Sequence, residues 1–475
     1  MKKPLLFILF TAGLALSVMA QQPAGAATFT KDQLSADLSF LIKTIENVHP
    51  HPYHAISKER MGRLRDSVQG LFKDGMTARD AWPGLARIVA ALDEGHSNFN
   101  HPASFVENMR SGGEKLFPIL VNEYDGEALY TRYNLSGDSS LATGDRILSV
   151  NGRPVKELVD YFTSFYGGLP VWRQLQVMND FAGNLAFHGI LPPYRVVYRK
   201  GDTQKEMVVD GLLFPEIIAR VGEIRKKMPA TGSSSPYTFS RLENNTGYLN
   251  FRSMRDLDRF SVFLDSVFTE IKNNPVSGLI IDLRQNGGGN SALGEKLLSY
   301  ITDKPYLMAA GTLWKVSEEY KAFIREQEKT NSVYASAGFQ HYLKFENGKL
   351  IGSDKLKPRK PAGNPLRYTG KTCFLIGPRT FSSANMLANA IKDFQLATLI
   401  GEPTGEPAND YGEMYWNKLP NTGFSFSTCS KQFVRANGDK DDPNPILPDI
   451  TVKQDRASGK DDVLEYAKKW MLGGN

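Results

Sequence analysis

The amino-acid sequence predicts a multidomain α/β protein, and three observations support this fold class. The chain has 475 residues, more than one simple core accommodates. Residues 30–91 carry apolar side chains at helical spacing, whereas residues 117–210 consist of short segments with strand-like composition. From Thr246 onward the pattern becomes strand, helix, strand, which is typical of a sheet covered by helices. We therefore expect a helical N-terminal region, a β-rich middle domain and an α/β core.

The N-terminus has the order of features found in a secretory signal peptide. Lys2 and Lys3 precede a short apolar run, Leu5–Val18, and the small residue Ala20 follows it. We expect cleavage after Ala20, so that residues 1–20 are removed and the protein is periplasmic or secreted. A retained N-terminal anchor is the alternative. The run is short for a membrane span, and no stable span is expected after cleavage.

Charge and cysteine content exclude some classes of protein. The formal net charge of +6, of which Lys2 and Lys3 contribute two, is weak for 475 residues and does not support nucleic-acid binding. Cys373 and Cys429 are the two cysteines. Export permits a disulfide, but two cysteines do not make a disulfide framework. A bond between them and two buried thiols both stay open.

Residues 28–112 are expected to form a helical domain. Helical spacing predicts helices over 35–45, 63–72 and 77–92, with Thr77 and Asp80 as a cap of the third and Pro83 near the start of its regular part. Three histidines, His49, His51 and His54, lie between the first two helices. The prolines among them predict an extended loop, and no thiolate or carboxylate lies among them. No metal is therefore expected.

The third helix is followed by the segment LDEGHSN, residues 92–98. Gly95 is a natural helix stop. His96 follows it, where an exposed imidazole is able to transfer a proton near neutral pH. A satisfied surface histidine is the other interpretation of this residue by itself.

Residues 115–212 are expected to form a β-rich domain. Strands are predicted at 117–121, 128–133, 146–150 and 194–199, and Asn151-Gly152 is a hairpin signal. The segment TGDRILSVNG, residues 143–152, resembles a PDZ domain, which implies binding of extended peptides, often C-termini, as an added strand. Residues 155–193 exceed what a PDZ domain needs and suggest a helical excursion or lid. A scaffold that binds nothing is the alternative. Residues 213–240 are expected to be a linker.

Residues 241–475 are expected to form the C-terminal core. Its elements are the strand GYLNF, a helix over 257–271, a buried strand over 278–283, a helix over 292–301, strands over 412–416 and 424–433, and a last helix over 461–472. Gly287, Gly288 and Gly289 follow the buried strand and allow backbone N–H groups to approach a ligand closely. Residues 316–361 are charged and are expected to be an irregular surface insertion.

The stretch Lys371–Gly405 organises this core. Thr372–Ile376 predicts a buried strand, turn residues follow, and Ser382 and Ser383 open an amphipathic helix. A hydroxyl at a strand-to-helix turn lies where backbone N–H groups point outward, which suits a nucleophile and an oxyanion. The alternative is that Ser382 only caps the helix.

Five motifs occur together in this chain: LDEGHSN (92–98), TGDRILSVNG (143–152), GLIIDLRQNGGGNS (278–291), TFSSANMLANAI (380–391) and IGEPTG (400–405). In this order they resemble the tail-specific or C-terminal processing serine protease family, on its tricorn-like, Ser-His side. The resemblance covers most of residues 92–450. It implies a crotonase/Clp-protease-like ββα core for the C-terminal domain.

The resemblance also implies roles for individual residues. The nucleophile is Ser382, with Ser383 as second choice, and the base is His96. Pro407 occupies the position of the lysine base found in the processing proteases, and Gly95 replaces a serine that precedes the histidine in tricorn. The acidic third residue is expected at Asp442, or at the adjacent Asp441. The oxyanion hole is expected from the N–H groups of Gly288 and Ser383.

The function implied is that of an exported serine endopeptidase that hydrolyses protein tails or unfolded polypeptides by acyl transfer. Its partners are polypeptide substrates, its oligomeric state is open, and no cofactor is expected. A catalytically silent peptide- or ligand-binding protein on the same scaffold is the main alternative. A crotonase-like acyl-CoA enzyme is a third hypothesis, which export disfavours.

Overall fold

The structure of the protein is a computed structural model that describes residues 27–227, 235–455 and 460–473. The predicted signal peptide, residues 1–20, lies outside the described residues. Within the described ranges, no helix combines the length and the apolar character needed to cross a membrane. The chain forms a helical N-terminal region, an antiparallel β region with inserted helices, and a C-terminal α/β core.

The N-terminal region contains the three predicted helices and a fourth. They are Lys31–Val48, Lys58–Leu71, Ala78–Ala90 and Ala103–Arg110. Thr77 and Asp80 form the expected capping box of the third helix. Pro83 lies inside that helix, which begins before it, so the prediction that the regular part starts at the proline was wrong.

The middle region is a mostly antiparallel sheet with a helical excursion. Its path of strands, in spatial order, is Ile119–Tyr124, Leu129–Asn134, Arg146–Val150, Tyr194–Lys200 and Thr203–Val209. Asn151 and Gly152 both have positive φ, at 50° and 77°, as a tight hairpin turn requires. Residues 155–193 contain three helices, Val155–Thr163, Pro170–Asn179 and Phe181–Phe187.

The C-terminal core contains a six-stranded sheet. Its spatial order is Tyr237–Arg241, Gly247–Phe251, Leu279–Asp282, Thr372–Ile376, Thr398–Gly401 and Ile450–Thr451. All neighbours pair in parallel except the first two. Every residue of Leu279–Asp282 is buried, as predicted for a parallel strand covered on both faces. The helices of this core are Leu257–Asn273, Ala292–Leu298, Ser383–Asp393 and Asp462–Met471.

Two segments have more structure than the sequence suggested. Residues 316–361 are not irregular: they contain the helices Glu318–Glu328 and Ala337–Tyr342, a 3-10 turn at Ser332–Ala335 and the strand Leu350–Ser353. Tyr320 and Tyr342 are fully buried in this segment. Aromatic packing therefore orders residues whose high charge content had suggested a loop. The expected linker 213–240 includes the helix Phe214–Lys227 and the strand Tyr237–Arg241.

A four-stranded antiparallel sheet connects the core to the N-terminal region. Its strands, in spatial order, are Leu350–Ser353, Gly311–Lys315, Ser425–Val434 and Asp410–Lys418. The hairpin formed by the last two places Leu419, Phe424 and Phe426 in the same hydrophobic core as the N-terminal helices and the middle sheet. This packing brings residues near position 96 to the C-terminal core.

Candidate active site

Ser382 lies at the turn between the strand Thr372–Ile376 and the helix Ser383–Asp393. Its backbone has φ 54° and ψ −130°, a region that non-glycine residues rarely adopt. Its side chain makes no capping hydrogen bond to the helix, so the capping interpretation of Ser382 was wrong. The hydroxyl is left available for chemistry at a turn that the surrounding structure holds in place.

The glycine turn packs directly against this serine. A Cβ built on Gly288, whose φ is 88°, would lie 2.7 Å from Cβ of Ser382. A Cβ on Gly289 would lie 2.3 Å from the carbonyl oxygen of Met254. Thr380 Oγ1 donates to the Leu283 carbonyl at 2.9 Å, and Phe381 N–H donates to the Asn286 carbonyl at 3.1 Å. The two loops are therefore fixed to each other, and glycine is needed where they touch.

The two predicted oxyanion donors differ in availability. The Gly288 N–H donates to Asn286 Oδ1 at 2.9 Å, so in this conformation it is not available to an oxyanion as the sequence predicted. Among the described residues, no hydrogen bond uses the N–H of Ser383. The Ser383 hydroxyl donates to the Gly289 carbonyl at 2.6 Å. Ser383 thus offers its N–H, while its hydroxyl anchors the glycine turn.

His96 lies beside the residue that precedes the serine. Its ring contacts Phe381 with ring centroids 4.7 Å apart, and Trp172 stacks on Phe381 at 3.7 Å. A Cβ on Gly95 would lie 2.6 Å from the Phe381 ring, so a glycine is needed before the histidine. His96 is only 7% exposed, which corrects the expectation of an exposed imidazole. In this conformation no hydrogen bond joins the Ser382 hydroxyl to His96.

The acidic partners of His96 are Glu406 and Asp410, which the sequence reasoning did not single out. Nδ1 of His96 lies 3.6 Å from Glu406 Oε2 and 3.6 Å from Asp410 Oδ1, and all three side chains are buried. The other carboxylate oxygen of Glu406, Oε1, accepts the backbone N–H of Ser382. The acid pair therefore contacts both the histidine and the backbone of the serine.

The predicted acids lie elsewhere. The Asp442 carboxylate pairs with Arg435 and accepts from Asn444 at 2.7 and 2.9 Å, and Asp441 is exposed. Neither pairs with His96, so the placement of the acid at Asp442 or Asp441 is corrected. Glu406 and Asp410 lie on either side of Pro407, which occupies the position where the resemblance would have placed a lysine base. The signal that could have found them is the group of acidic residues that follows the nucleophile helix closely in the sequence.

Burial and charge together favour the protonated forms of both His96 and Glu406. Burial opposes the charged imidazolium, but the negative charges of Asp410 and Glu94 raise the pKa of His96 above its ordinary value. Burial, reinforced by the neighbouring charge of Asp410, raises the pKa of Glu406 well above the usual range of a carboxyl group. The site thus favours a protonated histidine over a second carboxylate charge.

A second cluster of ionisable groups lies next to the site and includes two of the histidines noted in the sequence. His49 Nε2 lies 2.9 Å from Glu94 Oε2, and the Ser97 hydroxyl donates to the other oxygen of Glu94. Burial disfavours the charged form of Glu94. The charge of His49 and the hydrogen bonds from His49 and Ser97 nevertheless lower the pKa of Glu94 to about 2. The loop between the first two helices therefore has a carboxylate partner that its local sequence did not show.

Comparisons with known proteins agree with this architecture. Residues 245–452 match the family model described as Peptidase family S41. A crystal structure of a mutant of CPAF aligns over 93% of this chain and 96% of its own, with 17% identity and a TM-score of 0.65. The structure of mature CPAF complexed with lactacystin aligns over 93% of this chain and 98% of its own, with 17% identity and a TM-score of 0.64. At this identity the two structures show a shared fold.

The family match spans the glycine turn, Ser382, Glu406 and Asp410, whereas His96 reaches the site from outside the matched residues. The similarity to Peptidase family S41 thus lies in the domain at residues 245–452, and the protein is a serine peptidase.

Proposed function

We propose that the protein is an exported serine endopeptidase that cleaves protein tails or unfolded polypeptides with Ser382 as nucleophile and His96 as general base. One observation carries the proposal. An uncapped serine with positive φ packs against a glycine turn, and Glu406, which accepts its backbone N–H, lies with Asp410 beside the ring of a buried histidine. Nucleophile, base and orienting acid are the three parts that acyl transfer to a serine requires.

The geometry assigns the two ring nitrogens of His96. In the neutral ring the hydrogen lies on Nδ1, which faces Glu406 and Asp410, and Nε2 keeps its lone pair. Nε2 accepts the Ser382 proton as the serine oxygen attacks the peptide carbonyl, and later gives that proton to the leaving amine. The carboxylates orient the ring and stabilise the imidazolium. The approach of His96 to Ser382 tightens when substrate binds, as is common for catalytic hydrogen bonds.

The tetrahedral intermediate needs donors for its oxyanion. The unengaged N–H of Ser383 lies at the start of the helix Ser383–Asp393, where the helix dipole adds positive potential. The Gly288 N–H joins it only when Asn286 releases its hydrogen bond. Opening of that side-chain contact is therefore part of the proposed active conformation.

Export and tail recognition are supported by the sequence. The charged start, apolar run and Ala20 favour a cleaved signal peptide, and the PDZ-like motif at 143–152 favours capture of extended chain ends. Expression with the native N-terminus in a bacterial host should give a protein that begins at Gln21 and is found outside the cytoplasm. Cytoplasmic protein that retains Met1–Ala20 would contradict export.

A silent binding protein on the same scaffold is the second candidate. Two features of this conformation favour it. The Ser382 hydroxyl makes no hydrogen bond to His96, and the Gly288 N–H is engaged by Asn286. A fold that binds polypeptides without cutting them would tolerate both features.

Labelling and cleavage separate the two candidates. The protein is treated with a fluorophosphonate serine probe and with an unstructured protein such as casein. We expect Ser382→Ala to abolish labelling and to reduce cleavage by roughly 10³-fold or more, and His96→Ala to reduce both. Ser383→Ala is the matched control, because it removes the neighbouring hydroxyl and keeps the N–H. Equal labelling of wild type and Ser382→Ala would contradict the assignment of the nucleophile.

A further inference from the structure

We propose that His96, Glu406 and Asp410 form a binding site for a divalent transition-metal cation of the Zn²⁺ type, and that the bound cation holds the peptidase inactive. Binding of the cation is independent of the peptidase reaction. Its inhibitory effect rests on the proposed function. The site would make the protein sensitive to zinc in the compartment where it works.

The positions of the three side chains fit a tetrahedral cation. Nδ1 of His96 is 3.6 Å from one oxygen of each carboxylate, and the three ligand atoms all lie within 4.8 Å of one another. Ligands that bind Zn²⁺ tetrahedrally at about 2.0–2.2 Å lie about 3.3–3.6 Å apart. A small inward movement of each side chain gives that spacing. One imidazole and two carboxylates also form a ligand set that Zn²⁺ accepts, with water in the fourth position.

Two buried polar atoms are a second observation that points to a bound cation at this site. His96 Nδ1 and Glu406 Oε2 are both buried, and neither has a hydrogen-bond partner among the described residues. Among the residues that the structure describes, Glu406 and Asp410 form ion pairs with His96 and with no lysine or arginine. Buried carboxylates without a compensating cation are costly. A metal ion would bind these two atoms, which face each other at 3.6 Å, and would supply the positive charge that otherwise depends on a proton on His96.

The neighbouring group of His49, His54 and Glu94 also has ligand atoms within 4.8 Å of one another, but its atoms are already engaged. His49 Nδ1 accepts the backbone N–H of His51 at 3.0 Å, so the ring hydrogen lies on Nε2 and is donated to Glu94. The Ser97 hydroxyl occupies the other oxygen of Glu94. A cation at this second group would have to displace hydrogen bonds, whereas at His96 it would complete them.

The site explains how the cation would stop the reaction. Coordination through Nδ1 uses the lone pair of that nitrogen, so the ring hydrogen moves to Nε2. Nε2 then has no lone pair to accept the Ser382 proton, and the attack on the peptide carbonyl cannot begin. The cation would also draw Glu406 away from the backbone N–H of Ser382, which it accepts in this structure.

The binding test uses the full chain with Ser382→Ala, so that self-cleavage does not interfere. Calorimetric titration with Zn²⁺ should show one equivalent bound, and Co²⁺ should give the intense visible bands of tetrahedral coordination. Adding Glu406→Gln or, separately, Asp410→Asn should weaken Zn²⁺ binding about tenfold or more. His54→Ala, which removes a ligand of the second group, should leave the titration unchanged.

The outcomes are distinguishable. Absence of binding, equal binding after Glu406→Gln and Asp410→Asn, or loss of binding in His54→Ala would overturn the site. Circular dichroism identifies any variant that fails to fold, and the two acid variants test the same site independently. In wild type treated with EDTA, added Zn²⁺ should stop casein cleavage reversibly. Full cleavage with Zn²⁺ bound would overturn the inhibition, whereas Zn²⁺ binding in a chain that cleaves nothing would leave the site intact and contradict the proposed function.

Discussion

Ser382 adopts a backbone conformation that costs about 1–3 kcal/mol for a non-glycine residue. The structure holds it there through the contact with Gly288 and through Glu406, which accepts its N–H. At the scale of single residues, the site is thus defined less by the serine than by the two residues that force its conformation. The contact with Gly288 can be tested against a neighbouring glycine that lacks it.

Gly288→Ala should strongly reduce catalysis. Its φ of 88° disfavours a side chain, and the new Cβ would lie 2.7 Å from Ser382 Cβ, so the nucleophile must move. We expect kcat/KM on a casein-derived peptide to fall by roughly 10²-fold or more, with a loss of about 1–3 kcal/mol in urea unfolding. Gly287→Ala is the matched control, because no atom lies within 4 Å of its Cβ position. Similar activity in the two variants would contradict this account.

Asp410→Asn and Asp442→Asn test which acid serves His96. Asp410 faces Nδ1 of His96. Replacing its carboxylate with the amide of asparagine should therefore lower kcat by about 10²- to 10⁴-fold while KM changes little. Asp442 pairs with Arg435 and not with His96. Asp442→Asn should therefore reduce stability by about 1 kcal/mol and leave kcat unchanged. Steady-state kinetics and urea unfolding of both variants give the answer. A large fall in kcat for Asp442→Asn alone would restore the assignment made from the sequence.

At the scale of elements, the hairpin Asp410–Lys418 and Ser425–Val434 joins the two halves of the site. Its first strand begins with Asp410, and its second strand carries Ser427. The buried Ser427 hydroxyl donates to the His96 carbonyl at 2.9 Å and accepts the Asn98 N–H at 3.0 Å. One strand pair therefore positions both the acid and the backbone of the histidine.

Ser427→Ala should shift His96 without touching it directly. The carbonyl of His96 and the N–H of Asn98 each lose a buried partner, which costs about 1–3 kcal/mol, and we expect kcat to fall roughly tenfold. Thr428→Val is the control on the next residue, because the buried Thr428 hydroxyl has no hydrogen-bond partner among the described residues. Its removal should be neutral or stabilising. Equal effects of the two substitutions on kcat would contradict the positioning role of Ser427.

At the scale of the whole molecule, one hydrophobic core extends through the N-terminal helices, the middle sheet and the tip of the C-terminal hairpin. Trp82 on the third helix and His188 after the helical excursion meet in this core, with ring centroids 6.1 Å apart. His188 also stacks on Phe165 at 5.3 Å. Protonation of an imidazole in this place would weaken the packing of the excursion on the N-terminal helices.

His188 should make stability depend on pH. Burial, with the charges of nearby groups, lowers its pKa from 6.5 to about 3. The unfolded chain therefore takes up the proton first, so this stabilisation is complete above pH 6.5 and is lost as the pH falls towards 3. The ionisable groups that contribute are His101, Arg153, Arg79 and Arg87, and the Tyr161 hydroxyl lies 3.5 Å away.

The measurement is urea unfolding at pH 7 and pH 5. Between these values wild type should lose about 2 kcal/mol more than His188→Phe, which keeps an aromatic ring and removes the titration. His341→Phe is the control, because His341 is exposed. An equal loss in wild type and His188→Phe would show that His188 does not carry the pH dependence.

Local sequence was sufficient for most elements. Helical spacing and caps placed the N-terminal helices, and the apolar run at 278–283 predicted a buried strand because parallel strands are covered on both faces. The failures were of another kind. Residues 316–361 looked irregular by charge, yet Tyr320 and Tyr342 order them through contacts that are distant in sequence. Spacing and composition report local preference, and such contacts override it.

The sequence by itself determined the nucleophile stretch, the glycine turn and the histidine as candidates. Turn, helix-start and helix-stop residues mark their positions locally, and the resemblance of their motifs to one protease family implies their roles. Only the tertiary structure decided which groups meet. It placed His96 against Phe381, chose Glu406 and Asp410 over Asp442 and Asp441, and engaged the Gly288 N–H with Asn286. The physical reason is that an acid's role depends on burial and distance to its partner, and both are set by the packing of a hairpin hundreds of residues after the histidine.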